Sequence, residues 1–115
     1  ESIERLHEAT QHIPIPIFIG IMPITSYRNA LFLHNEIPGI KISENVLTQM
    51  SKITEPTSAK QLGISITKEL LDCAMEKFQG IYLITPFSFW QMSVELTHYI
   101  RETDGHLFQS KVNSI

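Results

Sequence analysis

Two short apolar runs along the chain are predicted to be strands. Residues 13–24 are rich in isoleucine and bounded by prolines, and residues 81–84 form a second compact apolar run. Short runs without polar alternation are typical of strands that are buried on both faces. Because proline donates no hydrogen bond to a ladder, the strands are predicted near 17–22 and 80–85. The side chains predicted to be most buried are Ile17, Ile19, Ile21, Leu83 and Ile84.

Apolar residues at three- and four-residue spacing predict five helices. Ser26 and Ser43 precede the second and third of these, and a serine hydroxyl is a good helix N-cap. The helix from Ser58 to Phe78 has the clearest period, with an apolar residue at every fourth position from Leu62. The predicted helices cover residues 1–11, 26–36, 43–53, 58–78 and about 92–104, and 105–115 form a tail without a clear period.

The order of these elements predicts a parallel α/β arrangement, because strands alternate with helical connections. Two parallel strands form a poor core by themselves, and both edges of such a sheet are open. The sequence therefore predicts a partial domain that belongs to a larger α/β domain. In such folds ligands bind at the carboxyl ends of the strands, so the turn from Met22 to Asn29 is the first candidate site.

Composition narrows the classes of function. The chain has 115 residues, of which 43% are hydrophobic, so it can form one modest core. Nine Lys and Arg against twelve Asp and Glu give a net charge of −3 without a basic stripe, which argues against a nucleic-acid partner. The single Cys73, predicted to be an inert core thiol, indicates a reducing cytoplasm, and no apolar run reaches the ~18 residues of a membrane span. The five histidines do not have the spacing of a metal site.

Four segments together resemble one family. Residues 16–27, PIFIGIMPITSY, resemble the P-x-x-x-G-I-[LM]-P-[IV]-[ST]-[SN]-[YF] segment of the methylenetetrahydrofolate reductases. Residues 40–43 resemble that family's V-[KR]-I-P entry to its next helix, 63–78 its G-[IA]-x-x-A-x-x-[ML] helix, and 80–85 its last strand. The resemblance extends over residues 1–101 in the same order.

This resemblance implies a (β/α)8 TIM barrel, of which residues 1–115 would be the C-terminal fragment with the last βα units. It implies a reductase that uses FAD and NAD(P)H to convert 5,10-methylenetetrahydrofolate to 5-methyltetrahydrofolate. The family's flavin contacts lie mostly on earlier strands, so the fragment alone is expected to be inactive and to self-associate through its open edges. The Leu-Ile-Thr-Pro-Phe ending of the second strand, residues 83–87, is more similar to bacterial proteins that join this reductase to a homocysteine S-methyltransferase.

Two substrate-binding positions carry over from the resemblance. The family's folate-binding glutamine falls at Asn29, whose shorter amide offers the same donors and acceptor. Its stacking aromatic residue falls at Leu33, so that stacking is lost or comes from Phe32. The family's arginine after the last strand, which meets the substrate's glutamate carboxylate, has no counterpart here.

Alternative interpretations remain open at this stage. Without the resemblance Asn29 would be an ordinary surface residue, and Phe87, Phe89 and Trp90 would pack between the sheet and the last helix. The whole chain could equally be a non-catalytic α/β interaction or regulatory module derived from the same barrel. A bound flavin in the full-length protein would distinguish the enzyme from this module.

Overall fold

A computed structural model describes the backbone of residues 2–86 and 88–113, and the side chains of 2–86 and 88–104. Helix α5 continues beyond Gly105, where the sequence pattern predicts its end. No proline follows, and one glycine within a helix costs only about 1 kcal/mol. The elements in chain order are α1 (Ser2–Thr10), β1 (Phe18–Ile21), α2 (Tyr27–Glu36), α3 (Glu44–Ser51), α4 (Pro56–Lys77), β2 (Gly80–Leu83) and α5 (Trp90–Asn113).

Strands β1 and β2 pair in parallel, as the order of the elements predicts. The register runs from Phe18 opposite Gly80 to Ile21 opposite Leu83. One further ladder bond, from the Ile84 N–H to the Ile21 carbonyl, measures 2.9 Å. The sheet therefore joins two segments that are separated by three helices.

The helices cover one face of this sheet. Ile17, Ile19 and Leu83 pack from that face against a hydrophobic cluster built mainly by α1, α4 and α5. The cluster contains the fully buried Leu71 and Leu96, and its shape follows from the apolar stripes of the two long helices. Its buried members are Ile3, Ile21, Ile64, Leu71, Ala74, Phe78, Met92 and Leu96.

The opposite face of the sheet is exposed, so the prediction that the strands are buried on both faces is wrong for this chain. Phe18 is 66% exposed and Tyr82 is 59% exposed. The strand side chains alternate between the faces, and α1, α4 and α5 pack on the face opposite to Phe18 and Tyr82. Among the five positions predicted to be most buried, Ile21 is buried, Ile84 is exposed and the others are half-buried.

Two aromatic rings cover glycines on the exposed face. A Cβ atom at Gly80 would lie 2.7 Å from the Phe18 ring, and one at Gly20 would lie 2.8 Å from the Tyr82 ring. Each ring therefore lies across the backbone of the neighbouring strand. This cross-strand packing gives the exposed face two aromatic side chains that lie against the backbone.

Helix α4 approaches the chain closely where the chain leaves β1. A Cβ atom at Gly63 would overlap the backbone carbonyl oxygen of Ile24 and would lie 3.1 Å from its carbon. Glycine is thus required here by space, although it weakens an isolated helix. The contact holds the first turns of α4 beside the β1 exit.

A hydrogen bond links α4 to α5 on the outside of the molecule. The Tyr99 hydroxyl donates to the Asp72 carboxylate. This bond, together with burial and the charge of Asp72, raises the pKa of Tyr99 above its ordinary value. Because the native state holds the phenol proton more tightly, the resulting stabilisation is present below about pH 10 and is lost as the pH rises further.

The connection between α2 and α3 is fixed by one side chain and one turn. His34 Nδ1 accepts a hydrogen bond of 2.9 Å from the Ile42 N–H. Gly39 has a φ of +86°, a left-handed conformation that favours glycine. Ser43 then caps α3 by accepting from the Val46 N–H at 3.3 Å. This connection fixes the position of α3 relative to α2.

Candidate ligand cleft

A cleft of about 650 Å³ lies beyond the carboxyl end of β1. It is bordered by the start of α2, the link from α3 to α4, the first turns of α4 and the segment before α5. A cleft of this size can hold a drug-sized ligand. Its lining residues are Thr25, Ser26, Tyr27, Arg28, Asn29, Phe32, Ile53, Thr54, Pro56, Ala59, Lys60 and Phe89.

Asn29 and Ser26 form a reciprocal pair at the β1 exit. Ser26 Oγ accepts from the Asn29 N–H at 3.0 Å, which caps α2. Asn29 Oδ1 accepts from the Thr25 N–H at 3.1 Å. This arrangement is similar to a capping box moved by one residue. The side-chain carbonyl of Asn29 is thereby occupied by a hydrogen bond within the chain. Its Nδ2 group is the part that can donate to a ligand.

Leu33 and Phe32 occupy different environments on α2. Leu33 is 8% exposed and lies in the core, outside the cleft lining. Phe32 is 50% exposed and lines the cleft. The aromatic surface that α2 offers to the cleft therefore comes from Tyr27 and Phe32. A substrate-binding role for Asn29 or Leu33 stays a prediction.

The opposite wall of the cleft is formed by α4 and by Phe89. Lys60 is half-buried, and its Nζ lies 4.0 Å from the centre of the Phe89 ring. The Phe89 N–H donates to the Pro86 carbonyl at 3.0 Å, so a tight turn after β2 presents this ring. Trp90 is 61% exposed and is not part of the lining, whereas Phe87 lies outside the described residues.

The charged side chains in the described lining of the cleft are basic, although the chain as a whole carries a net charge of −3. They belong to Arg28 and Lys60, and no described lining residue is Asp or Glu. Among the residues that the structure describes, neither cation forms an ion pair. The amino-terminal turns of α2 and α4 also border the cleft, and helix N-termini carry partial positive charge.

Sequence reasoning missed the α4 side of this cleft. Lys60 is one of several lysines, and its position in the sequence does not show which helix end faces the β1 exit. The available signal was Gly63, three residues later. A glycine inside a strongly periodic helix often marks close packing against backbone, which here brings the start of α4 to the cleft.

The parallel sheet and its helices define the chain as an α/β protein, with a candidate ligand cleft at the carboxyl end of β1. A family model described as methylenetetrahydrofolate reductase matches residues 3–86, which include both strands. The chain belongs to the methylenetetrahydrofolate reductase family, as its motifs predicted, and membership indicates an oxidoreductase with folate as substrate.

Two other comparisons gave no relatives. No curated protein matches the chain, and no solved structure does. Separately, none of the helices within the described residues combines the length and the apolar character needed to cross a membrane.

Proposed function

We propose that this chain forms the C-terminal, substrate-side part of a flavin-dependent methylenetetrahydrofolate reductase. The complete enzyme would convert 5,10-methylenetetrahydrofolate to 5-methyltetrahydrofolate with NAD(P)H. The observation that carries this proposal is the cleft at the carboxyl end of β1, with Asn29 in its wall. The reaction would take place in the cytoplasm, which a lone cysteine favours.

The sheet supports placement in a (β/α)8 barrel. In such a barrel the helices cover the outside of the strands, while side chains fill the interior. Here the helices pack on one face, and Phe18, Tyr82 and Ile84 lie exposed on the other. We propose that this exposed face belongs to the barrel interior and that further parallel strands pair with the edges of β1 and β2.

FAD would be bound mainly by parts of the enzyme outside this chain. A flavin diphosphate is commonly held by backbone N–H groups of a glycine-rich turn. Among the described residues Gly39 has positive φ, and it is not part of the cleft lining. Within the described residues, the one glycine of positive φ therefore lies away from the cleft.

A fusion to a homocysteine S-methyltransferase also belongs to this proposal, because the sequence at the end of β2 is similar to that of such fused proteins.

One observation favours the alternative, a non-catalytic module of the same origin. The family's arginine after the last strand is absent from the segment after β2 in this chain. In that region the Thr85 and Ser93 hydroxyls form a hydrogen bond of 2.9 Å with each other, so no positive charge is offered to a substrate carboxylate there.

Turnover by the full-length protein tests the proposed function. Purified protein should show a flavin absorbance spectrum and should oxidise NADH or NADPH in the presence of 5,10-methylenetetrahydrofolate. Folded protein that binds no flavin and does not reduce this folate would support the non-catalytic alternative.

The chain of residues 1–115 is expected to be inactive alone and to self-associate. Exposed parallel strand edges and an apolar face can each pair with a second copy. Sedimentation velocity over a range of concentrations should therefore show dimers or larger species. A compact monomer at every concentration would contradict the association, and flavin-dependent turnover by this chain would contradict the inactivity.

Substitution of Asn29 should weaken folate binding. We expect Asn29→Ala in the full-length enzyme to raise KM for the folate about threefold to tenfold, the value of one neutral hydrogen bond. Little change in kcat is expected, because the bond is made in the ground state and the transition state alike. Steady-state kinetics at saturating NAD(P)H would measure both values.

The matched control is Asn35→Ala, which removes the same amide from an exposed position on α2 outside the cleft. Asn29→Ala also removes the acceptor of the Thr25 N–H, so its melting temperature should fall slightly. Asn29→Asp retains an acceptor for that N–H and separates the two roles. Folate kinetics like those of the Asn35→Ala control would return Asn29 to a purely structural role.

A further inference from the structure

Lys60 is a half-buried residue that forms no ion pair with any described residue. Its Nζ lies 4.0 Å from the centre of the Phe89 ring. A cation–π contact contributes only about 0.5–1 kcal/mol where solvent has access. Within the described part of the chain Lys60 forms no ion pair, and the nearby Glu55 instead accepts a hydrogen bond from Ser58 at 3.2 Å.

Lys68 on the same helix provides an internal comparison. Its Nζ lies 5.2 Å from the centre of the Tyr99 ring and also 3.4 Å from the Glu95 carboxylate. Lys68 thus has both an aromatic ring and a carboxylate as partners, whereas within the described residues Lys60 has the Phe89 ring and no carboxylate. A cation in a partly water-excluded cleft without a counter-charge attracts an anion more strongly than it would in open solvent, so the position beside Lys60 favours an anion.

The surroundings of Lys60 indicate what the rest of the ligand is like. Phe32 lies in the wall formed by α2 and offers a flat apolar surface, and the Asn29 amide offers a donor. Arg28 adds a second cation, and the described part of the lining contains no carboxylate that would repel an anion. Aromatic walls with cations at the rim match a ligand in which a flat ring is joined to a carboxylate.

We infer that Lys60 is a specificity-determining residue that binds a carboxylate of the ligand in this cleft. The inference rests on the proposed function, since a folate joins an aromatic ring to glutamate carboxylates. Lys60 would then supply, from the start of α4, the positive charge that the segment after β2 lacks. Its position depends on the close approach of α4 at Gly63, one helical turn away.

The experiment compares two probes of nearly the same shape, of which one carries two carboxylates and the other two uncharged amides. Binding of para-aminobenzoylglutamate and of its uncharged diamide to the full-length protein is measured by isothermal titration calorimetry. Wild type should prefer the dianion. Lys60→Gln should weaken the dianion about 5- to 20-fold, the effect of a charged hydrogen bond reduced by partial exposure, and should leave the diamide within about twofold.

Two further variants complete the test. Lys60→Arg keeps the charge and should retain most of the preference for the dianion. Lys52→Gln removes an exposed lysine at the end of α3, outside the cleft, and should leave both dissociation constants unchanged. Equal binding of the two probes to wild type, or an equal loss of both in Lys60→Gln, would overturn the role of Lys60.

Failure of this inference differs from failure of the proposed function. If wild type reduces 5,10-methylenetetrahydrofolate but Lys60→Gln shows no selective loss, only the role of Lys60 is overturned. If Lys60→Gln loses the dianion selectively but wild type has no reductase activity, the carboxylate site stands and the reductase proposal falls.

Discussion

Gly63→Ala should destabilise the protein by about 3 kcal/mol, at the upper end of the cost of overpacking. Helix propensity alone predicts the opposite, because alanine is favoured over glycine by about 1 kcal/mol inside a helix. The added methyl group would overlap the Ile24 carbonyl oxygen, and a backbone oxygen cannot swing away as a side chain can. Urea unfolding followed by circular dichroism would give the difference in free energy.

Ser65→Ala is the matched control for this substitution. It places alanine two residues later on the same helix at an exposed position, so only propensity changes. We expect it to be neutral or slightly stabilising. A Gly63→Ala protein that is as stable as this control would show that α4 does not lie against the β1 exit. The wall that carries Lys60 would then be wrongly placed.

Leu71→Ala should cost about 2–5 kcal/mol, the usual range for a leucine removed from a packed core. Leu71 is fully buried at the centre of the hydrophobic cluster between α4, α5 and the sheet. Its removal leaves a cavity that the surrounding elements can fill only in part. The measurement is the same unfolding experiment, with the slope of the transition checked for two-state behaviour.

The neighbouring Leu70 provides the control, since Leu70→Ala deletes the same atoms from the same helix. Leu70 is 43% exposed, and we expect its substitution to cost less than about 1 kcal/mol. Similar losses at both positions would indicate a further partner on the Leu70 face of α4. That result would contradict the orientation of this helix in the cluster.

Hydrophobic period and capping chemistry predicted most of the elements. Every fourth residue from Leu62 is apolar, and α4 follows that period from Pro56 to Lys77. Ser26 and Ser43 cap the helices that they precede. These features depend on neighbours in sequence, which is why local reasoning finds them.

Burial of the strands could not be predicted in the same way. An apolar run shows that a strand can be buried on both faces, but not which elements cover each face. Phe18 and Tyr82 place large aromatic side chains on the face that is exposed in this chain. An exposed face of this kind indicates that the strands belong to a larger assembly.

The cleft was predicted on one side only. The position of Asn29 near the cleft was predicted from its place just after the first strand and from the family motif. Lys60 and Phe89 reach the cleft from segments that lie 31 and 60 residues beyond Asn29 in the sequence. Their positions depend on the angle of α4 and on the turn after β2, which no local pattern contains.

Pairing of β1 with β2 has a consequence for how the chain folds. Phe18 and Gly80 are ladder partners that lie 62 positions apart in the sequence. Closing so long a loop costs conformational entropy, which contacts formed afterwards must offset. The neighbouring helices, by contrast, meet through short connections. Local helix pairs should therefore form early, and the parallel ladder should be among the last contacts to form, as expected for pairing of high contact order. Until then the edges of both strands remain free to pair with strands of other molecules. Conditions that slow the late steps of folding should therefore favour aggregation.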